Sequence, residues 1–204
     1  MHGIWAEQVS QFAIKALKSQ DNNAFGLFRN AFTTTLTADG NAFIGTHTLL
    51  SGGTYSNLLT GALGDTTLNN AFVALYEQVD QAGNVMGDEP AVLLVPPKLL
   101  KTAIQLTDSV LVADSGNNAV NFFRSVLGIQ VMTSPYLGLQ AGGSDTAWFV
   151  GSKYQSVTRL VRQGIQTALR DWSYSNNRTY LYQGNFREQY FVPDYAGWVG
   201  ATGV

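Results

Sequence analysis

Few residues in this chain could do acid–base or nucleophilic chemistry. There are two histidines, His2 and His47, and no cysteine. Without a thiol there is no disulfide, no thiolate nucleophile and no cysteine–zinc site. A Ser–His–Asp arrangement would have to rest on His47, because His2 stands in a frayed terminal segment. His47 lies in GTHTLLSGG, and no G-x-S-x-G elbow occurs anywhere. The reading it supports best is a loop histidine engaged in a hydrogen bond. A small hydrolase using His47 stands as the alternative of another class. Neither H-E-x-x-H nor G-x-x-x-x-G-K-[ST] is present, and the glycines of GALGD and LQAGGSD do not fit G-x-G-x-x-G between a strand and a helix. Asp88-Glu89, just before Pro90, reads as a solvated pair in a turn. No catalytic residue, cofactor site or metal site is assigned.

A second group is basic. Arg159, Arg162, Arg170, Arg178 and Arg187 alternate with Trp172, Tyr180, Tyr182 and Phe186. Arginines interleaved with aromatics can bind single-stranded nucleic acid through stacking. They also suit a sheet whose outer face carries arginines and whose inner face is aromatic. The second reading is preferred, and these five arginines with Trp172 become candidates for contacts between subunits.

The elements that must position these residues follow from periodicity. Trp5, Val9, Phe12, Ala13, Ala16 and Leu17 trace one apolar face of a long helix. A second stripe, Ala24 to Phe32, resumes after an expected break at Asp21 to Asn23. Asp39-Gly40 marks a tight turn. Ser51 to Asp65 reads as a loop, with Asp65 as N-cap of a helix striped by Leu68, Ala71, Phe72, Leu75 and Val79 and ended by Gly83-Asn84. Ala91 to Val95 is a short continuous apolar run, the pattern of a strand buried on both faces. Pro96 holds Val95 extended, and Pro97 suits a first helical position. Leu99, Leu100, Ala103 and Ile104 then stripe a helix. Short strands are expected at 110–112, 129–133 and 148–150. Long strands, joined by a turn at 174–177, are expected after Val157, with the state of Gln163 to Trp172 left open between strand and helix.

Composition narrows the class. Only 13% of the 204 residues are charged, against roughly a quarter in an average soluble domain. Interface cores are poor in charge and rich in aromatics, so a chain this uncharged suits extensive burial against other chains. Residues 1–150 hold six Lys/Arg and eleven Asp/Glu, whereas 151–204 hold six and three. That polarity could help subunits dock head to side. No apolar run approaches a membrane span, so no membrane partner is expected. No signal peptide is visible.

Several of these segments together resemble Mu-like prophage major head subunits. Asp39, Gly40, Phe43 and His47 hold the places of the D-G-x-x-l-F-x-x-x-H passage. Leu68, Ala71, Gln78, Asp80 and Gly83 match the helix that follows it. Pro90, Leu93, Leu94, Val95, Pro96, Pro97, Leu99 and Ala103 match P-x-x-L-l-V-P-P-x-L-x-x-x-A, and AWFVG with Trp148 is similar to a later tryptophan strand.

The resemblance implies an α+β subunit with the tailed-phage capsid fold of Hong Kong 97. Residues 1–50 would supply a peripheral-lobe segment with the spine helix. Residues 51–147 would form mainly the axial lobe, and 148–204 would return as strands through both lobes. Relatives carry an N-terminal arm and an extended loop that are expected to be missing here: either the gene product is a fragment, or another chain supplies them, or this variant manages without them. The implied function is a structural, non-enzymatic capsid subunit. It would self-assemble as hexamers and pentamers into an icosahedral head, with a decoration protein as a further partner and packaged DNA touched only non-specifically. Its place would be the virion, after assembly in the host cytoplasm. An encapsulin-like nanocompartment shell shares the fold and is the alternative within it.

Overall fold

The computed structural model describes residues 2–109, 121–124, 128–170 and 181–204. The chain divides into two compact units, each made of separate segments. One joins Met1–Ala24 to Thr158–Phe191, and the other joins Phe25–Val157 to Val192–Val204. Helix α1 (His2–Arg29) contributes residues to both. The expected break at Asp21 to Asn23 does not occur. Asp and Asn cost only a few tenths of a kcal/mol each in a helix interior, and the packing of Gln20, Phe25 and Phe28 on either side outweighs that.

The larger unit is built on a five-stranded sheet in the order β3-β9-β6-β4-β5. Its strands are β3 (Leu58–Leu59), β4 (Pro90–Val95), β5 (Gln130–Thr133), β6 (Trp148–Ser152) and β9 (Trp198–Ala201). β3 runs parallel to β9 and β4 parallel to β5, while β9–β6 and β6–β4 are antiparallel. Interior strand β4 is the double-sided strand that its apolar run predicts, with Leu93, Leu94 and Val95 buried.

Alternate side chains feed two apolar layers, as a pleated strand requires. Leu93, Val95, Trp148, Val150, Val199 and Ala201 pack on one face against helix α2 (Asp65–Tyr76), Ala103 of α3 (Leu100–Asp108) and Phe123. Leu94, Phe149 and Trp198 pack on the other against Phe28, Ala31, Phe43, Ile44, Leu137 and Val192. Gly151 is required here, because a Cβ on it would come within 2.8 Å of the Trp198 ring.

Pro96 is extended (φ −67°, ψ 159°) and Pro97 opens a 3-10 turn, Pro97–Leu99, that runs directly into α3. The strand–corner–helix joint is therefore as expected. Four details differ. Asp65 is the first helical residue rather than the cap, which is Gly64, whose N–H reaches the Thr67 hydroxyl at 2.9 Å. α2 stops at Tyr76, so Val79 instead bridges Val85, and Gly83-Asn84 close a turn around Asp80. Ile104 is exposed, and Thr107 takes the inner place, its hydroxyl donating to the Ala103 carbonyl at 2.9 Å. Ser51 to Asp65 also contains strand β2 (Thr54–Ser56), which pairs with β1 (Thr46–Thr48), and edge strand β3. The strand expected at 110–112 lies outside the described residues.

In the smaller unit, β7 (Thr158–Arg170) and β8 (Leu181–Phe191) form an antiparallel ribbon. Long strands are thus found where they are expected, and Gln163 to Arg170 is strand. The turn at 174–177 lies outside the described residues. Irregularities between Val161 and Gln163 and between Gln163 and Gln166 interrupt the register. One ribbon face meets α1, where Phe12 packs edge-on against Tyr182 with centroids 5.3 Å apart. Phe12, Ala16 and Gln20 form the covered side of this part of α1, while Val9, Ala13, Ile14 and Leu17 are exposed. The single apolar face predicted for the helix is therefore only partly covered within its unit. No helix among the described residues is long and apolar enough to cross a membrane.

Candidate functional site

Two constellations gather the chemically capable side chains. The first surrounds His47. The β1–β2 hairpin sets His47 opposite Tyr55. A turn at Gly40 (φ 79°) brings Asp39 back, so His47 Nδ1 lies 2.8 Å from Asp39 Oδ2. The His47 ring is fully buried and stacks on Tyr195 at 4.2 Å, and Tyr55 stacks on the same tyrosine at 5.7 Å.

Burial alone would push the Asp39 carboxyl up. Hydrogen bonds from the Thr37 hydroxyl, from Asn41 and from His47 outweigh it and hold the group well below the usual carboxylate range. Burial pushes the Tyr55 phenol up to about 12, and burial with Asp194, Asp80 and Asp39 nearby does the same to Tyr195. Both phenols serve as donors, Tyr55 to the Ala74 carbonyl at 3.1 Å and Tyr195 to the Val79 carbonyl at 2.8 Å.

An Asp–His pair does acyl-transfer chemistry only when the far imidazole nitrogen meets a nucleophile. Here His47 Nε2 is buried and bonds to no described residue. The pair instead pins the 36–42 loop to β1. Two buried amides act likewise. Asn57 accepts from Gly45 N–H and donates to the Phe43 and Trp198 carbonyls, and the Gln78 carbonyl oxygen accepts from Gly197 N–H at 2.7 Å. No cluster of three or more His, Asp or Glu suited to a metal occurs among the described residues.

The second constellation is the ribbon with its arginines. Along β8, Tyr182, Gly184, Phe186, Glu188 and Tyr190 are partly covered, and Gln183, Asn185, Arg187 and Gln189 are exposed. Aromatics inside and Arg187 outside follow the expected division, but Arg159 does not. It stands opposite Tyr190 in register and grips Glu188 Oε2 through Nε at 3.0 Å and Nη2 at 2.6 Å. Gln20 of α1 donates to the same oxygen at 3.1 Å, and the Tyr190 hydroxyl donates to Oε1 at 3.0 Å. The Glu188 hydrogen bonds hold the Arg159 guanidinium above its ordinary range. Arg162 and Arg187 are exposed beside Leu160, Val161 and Gln189 in an open groove of about 400 Å³. Only the backbone of Arg170 is described, and Trp172 and Arg178 lie outside the described residues.

Glu188 was not singled out by the sequence. Its one signal is parity, a lone carboxylate at the alternate positions otherwise held by Tyr182, Gly184, Phe186 and Tyr190. Asn57 carries no signal of its own, whereas Gln78 stands in the helix pattern shared with head subunits.

A family model described as "Phage capsid protein" matches residues 1–200. No curated protein matches the chain. Among solved structures, the chain is similar to the capsid of the cyanophage P-SCSP1u. The TM-score is 0.54 at 16% identity, and the match covers 94% of this chain and 64% of that one. At that identity the likeness speaks for the fold, which is the α+β capsid fold. This chain therefore spans a little under two thirds of the cyanophage chain's length.

Proposed function

The chain belongs to the phage capsid protein family, and on that premise we propose that it is a structural subunit of a tailed-phage head, packing with copies of itself into an icosahedral shell around DNA. The family match over residues 1–200 carries this reading. The geometry agrees with it, since the Asp39–His47 pair and the buried amides Asn57 and Gln78 all hold loops in place. A shell needs subunits of reproducible shape, and many weak identical contacts then add up through multivalency.

In this reading the copies form hexamers and pentamers, in the virion, after assembly in the host cytoplasm. Residues 1–50 carry the spine helix of a peripheral lobe, 51–147 form mainly the axial lobe, and 148–204 return through both. Of the candidate arginines, the exposed pair Arg162 and Arg187 face neighbouring subunits. DNA is touched only non-specifically. A decoration protein, and another chain that supplies an arm and an extended loop, are the further partners.

The test is electron microscopy of the full chain, purified from bacteria and concentrated. Shells, tubes or curved sheets are expected. A chain that stays strictly monomeric at every concentration and salt overturns the proposal.

A further inference from the structure

Among its described residues, the unit formed by α1 and the β7–β8 ribbon shows no apolar core. No apolar residue within Met1–Ala24 and Thr158–Phe191 is buried among the described ones. A helix on a two-stranded ribbon encloses too little apolar surface to be stable alone. Its outer ribbon face offers Leu160, 56% exposed, next to Arg162 and Arg187, neither of which makes an ion pair among the described residues. A partner for this face must bring apolar contact and negative charge together. Nucleic acid brings the charge, but Tyr182, Phe186 and Tyr190, on which its bases would stack, sit on the face turned to α1.

The chain itself carries a matching surface. Between Arg29 and Lys98 there is no lysine or arginine, while Asp39, Asp65, Glu77, Asp80, Asp88 and Glu89 all fall there. Part of this stretch gathers in space. The Leu50 N–H bonds the Gln81 carbonyl at 3.0 Å, which sets the β1–β2 turn against the loop that Asp80 organises. Asp39, Asp80 and Asp194 all lie close enough to Tyr195 to act on its phenol. Leu50 is 89% exposed and Val85 67%. The two units also differ in net sign. The unit with the ribbon holds seven Lys/Arg and four Asp/Glu, and the other holds five and ten.

We infer that the outer face of the β7–β8 ribbon, at Leu160, Arg162 and Arg187, docks on the acidic loop face around Asp80, Leu50 and Val85 of a second copy of this chain. The inference rests on the shell-building role proposed above. With the ribbon of each copy given to one neighbour and its loop face to another, the contact is heterologous and propagates into a ring or lattice. Opposite charge steers the encounter and makes it weaken with added salt. The apolar residues exclude water from the contact once it is formed.

Two full-length variants test this, each altered on one face: Arg162→Glu with Arg187→Glu, and Leu50→Lys with Val85→Lys. Circular dichroism checks that both are folded. In sedimentation velocity each alone should associate at least roughly tenfold more weakly than the natural chain. Their equimolar mixture should regain association, because each brings the intact counterpart of the other's altered face. A variant that assembles like the natural chain overturns the inference, and so does a mixture that stays monomeric. A ribbon variant that assembles normally but loses retention on DNA-cellulose overturns it in favour of nucleic acid. If the natural chain itself never associates, the shell-building role falls with it, and that result is distinct from the others. A second measurement does not depend on charge reversal. The chain has no cysteine, so a Leu160→Cys chain mixed with a Leu50→Cys chain and a bismaleimide should give a cross-linked heterodimer. Its absence, with the natural chain assembling, overturns the inference.

Discussion

Glu188 and Arg159 meet across the ribbon at 2.6 Å, and the same carboxylate oxygen also receives the amide of Gln20 from α1. The Glu188 side chain is 2% exposed while that of Arg159 is 46% exposed. One covered carboxylate thus ties both strands to the helix in a unit whose described residues include no buried apolar side chain. Glu188→Gln should lower the stability of this unit by about 1–3 kcal/mol, the range for losing charge-assisted hydrogen bonds at a partly exposed site. Hydrogen exchange would show it as faster exchange in β7, β8 and the first half of α1, with β4 and β6 unchanged.

The Asp39 carboxyl is held below its ordinary range, so the unfolded chain binds that proton more readily than the folded one. Its contribution to stability is then fully present above about pH 4, the ordinary aspartate value, and is lost as pH falls toward the lower folded value. Urea midpoints measured from pH 7 down to pH 3 should fall at the acid end. Asp39→Asn should flatten that fall and be less stable than the natural chain at pH 7. An unchanged acid limb in the variant would show that Asp39 does not carry the effect.

Tyr55 and Tyr195 behave oppositely. Both phenols are pushed up to about 12, so the folded chain holds those protons more tightly than the unfolded one. The stability they contribute is fully present below about pH 10 and is lost as pH rises toward 12. Ultraviolet titration of phenolate absorbance should show Tyr55 and Tyr195 among the late-ionising tyrosines, beside Tyr190, whose phenol burial also pushes up, with their ionisation accompanied by unfolding. In Tyr195→Phe one of these late steps should vanish.

Pro97 opens the turn between β4 and α3 with its φ already set. Pro97→Gly should cost about 1–2 kcal/mol through greater freedom of the unfolded chain. The thermal midpoint should drop while the circular dichroism of the folded state stays the same.

Gly184 faces α1, and a Cβ placed there would come within 2.5 Å of the Phe12 ring. Gly184→Val should therefore displace Phe12 and loosen the ribbon from the helix. Protease sensitivity within β7 and β8 is the readout, with Gln183→Val on the exposed neighbouring position as the control.

What could be read from the sequence divides by range. The strand–Pro–Pro–helix joint of residues 90–108 was legible because locked φ angles and a short apolar run act locally. The Gly40 turn was legible for the same reason. The pairing of β3 with β9 was not, because a two-residue edge strand becomes one only by meeting residues about 140 positions later. The end of α2 at Tyr76 was missed because Val79 continues the apolar period yet bridges Val85. The arginines of the ribbon were visible as a group, but Arg159 parts from the others because its partner Glu188 lies on the opposite strand. The Asp39–His47 contact joins residues eight apart through a hairpin that needs β2 to form.

The position of β9 bears on when a copy can fold at all. It is synthesised after every other strand of the sheet, yet it lies inside it, hydrogen-bonded to β3 on one side and β6 on the other. A nascent chain that has reached Phe191 therefore holds a sheet with a gap, and Trp148, Phe149 and Ile44 lack part of their cover. The larger unit closes only once translation has passed Ala201. Released chains ending at Phe191 should be protease-sensitive in the larger unit, and released chains that include β9 protease-resistant. The order of strands in the sheet sets that delay without any separate timer.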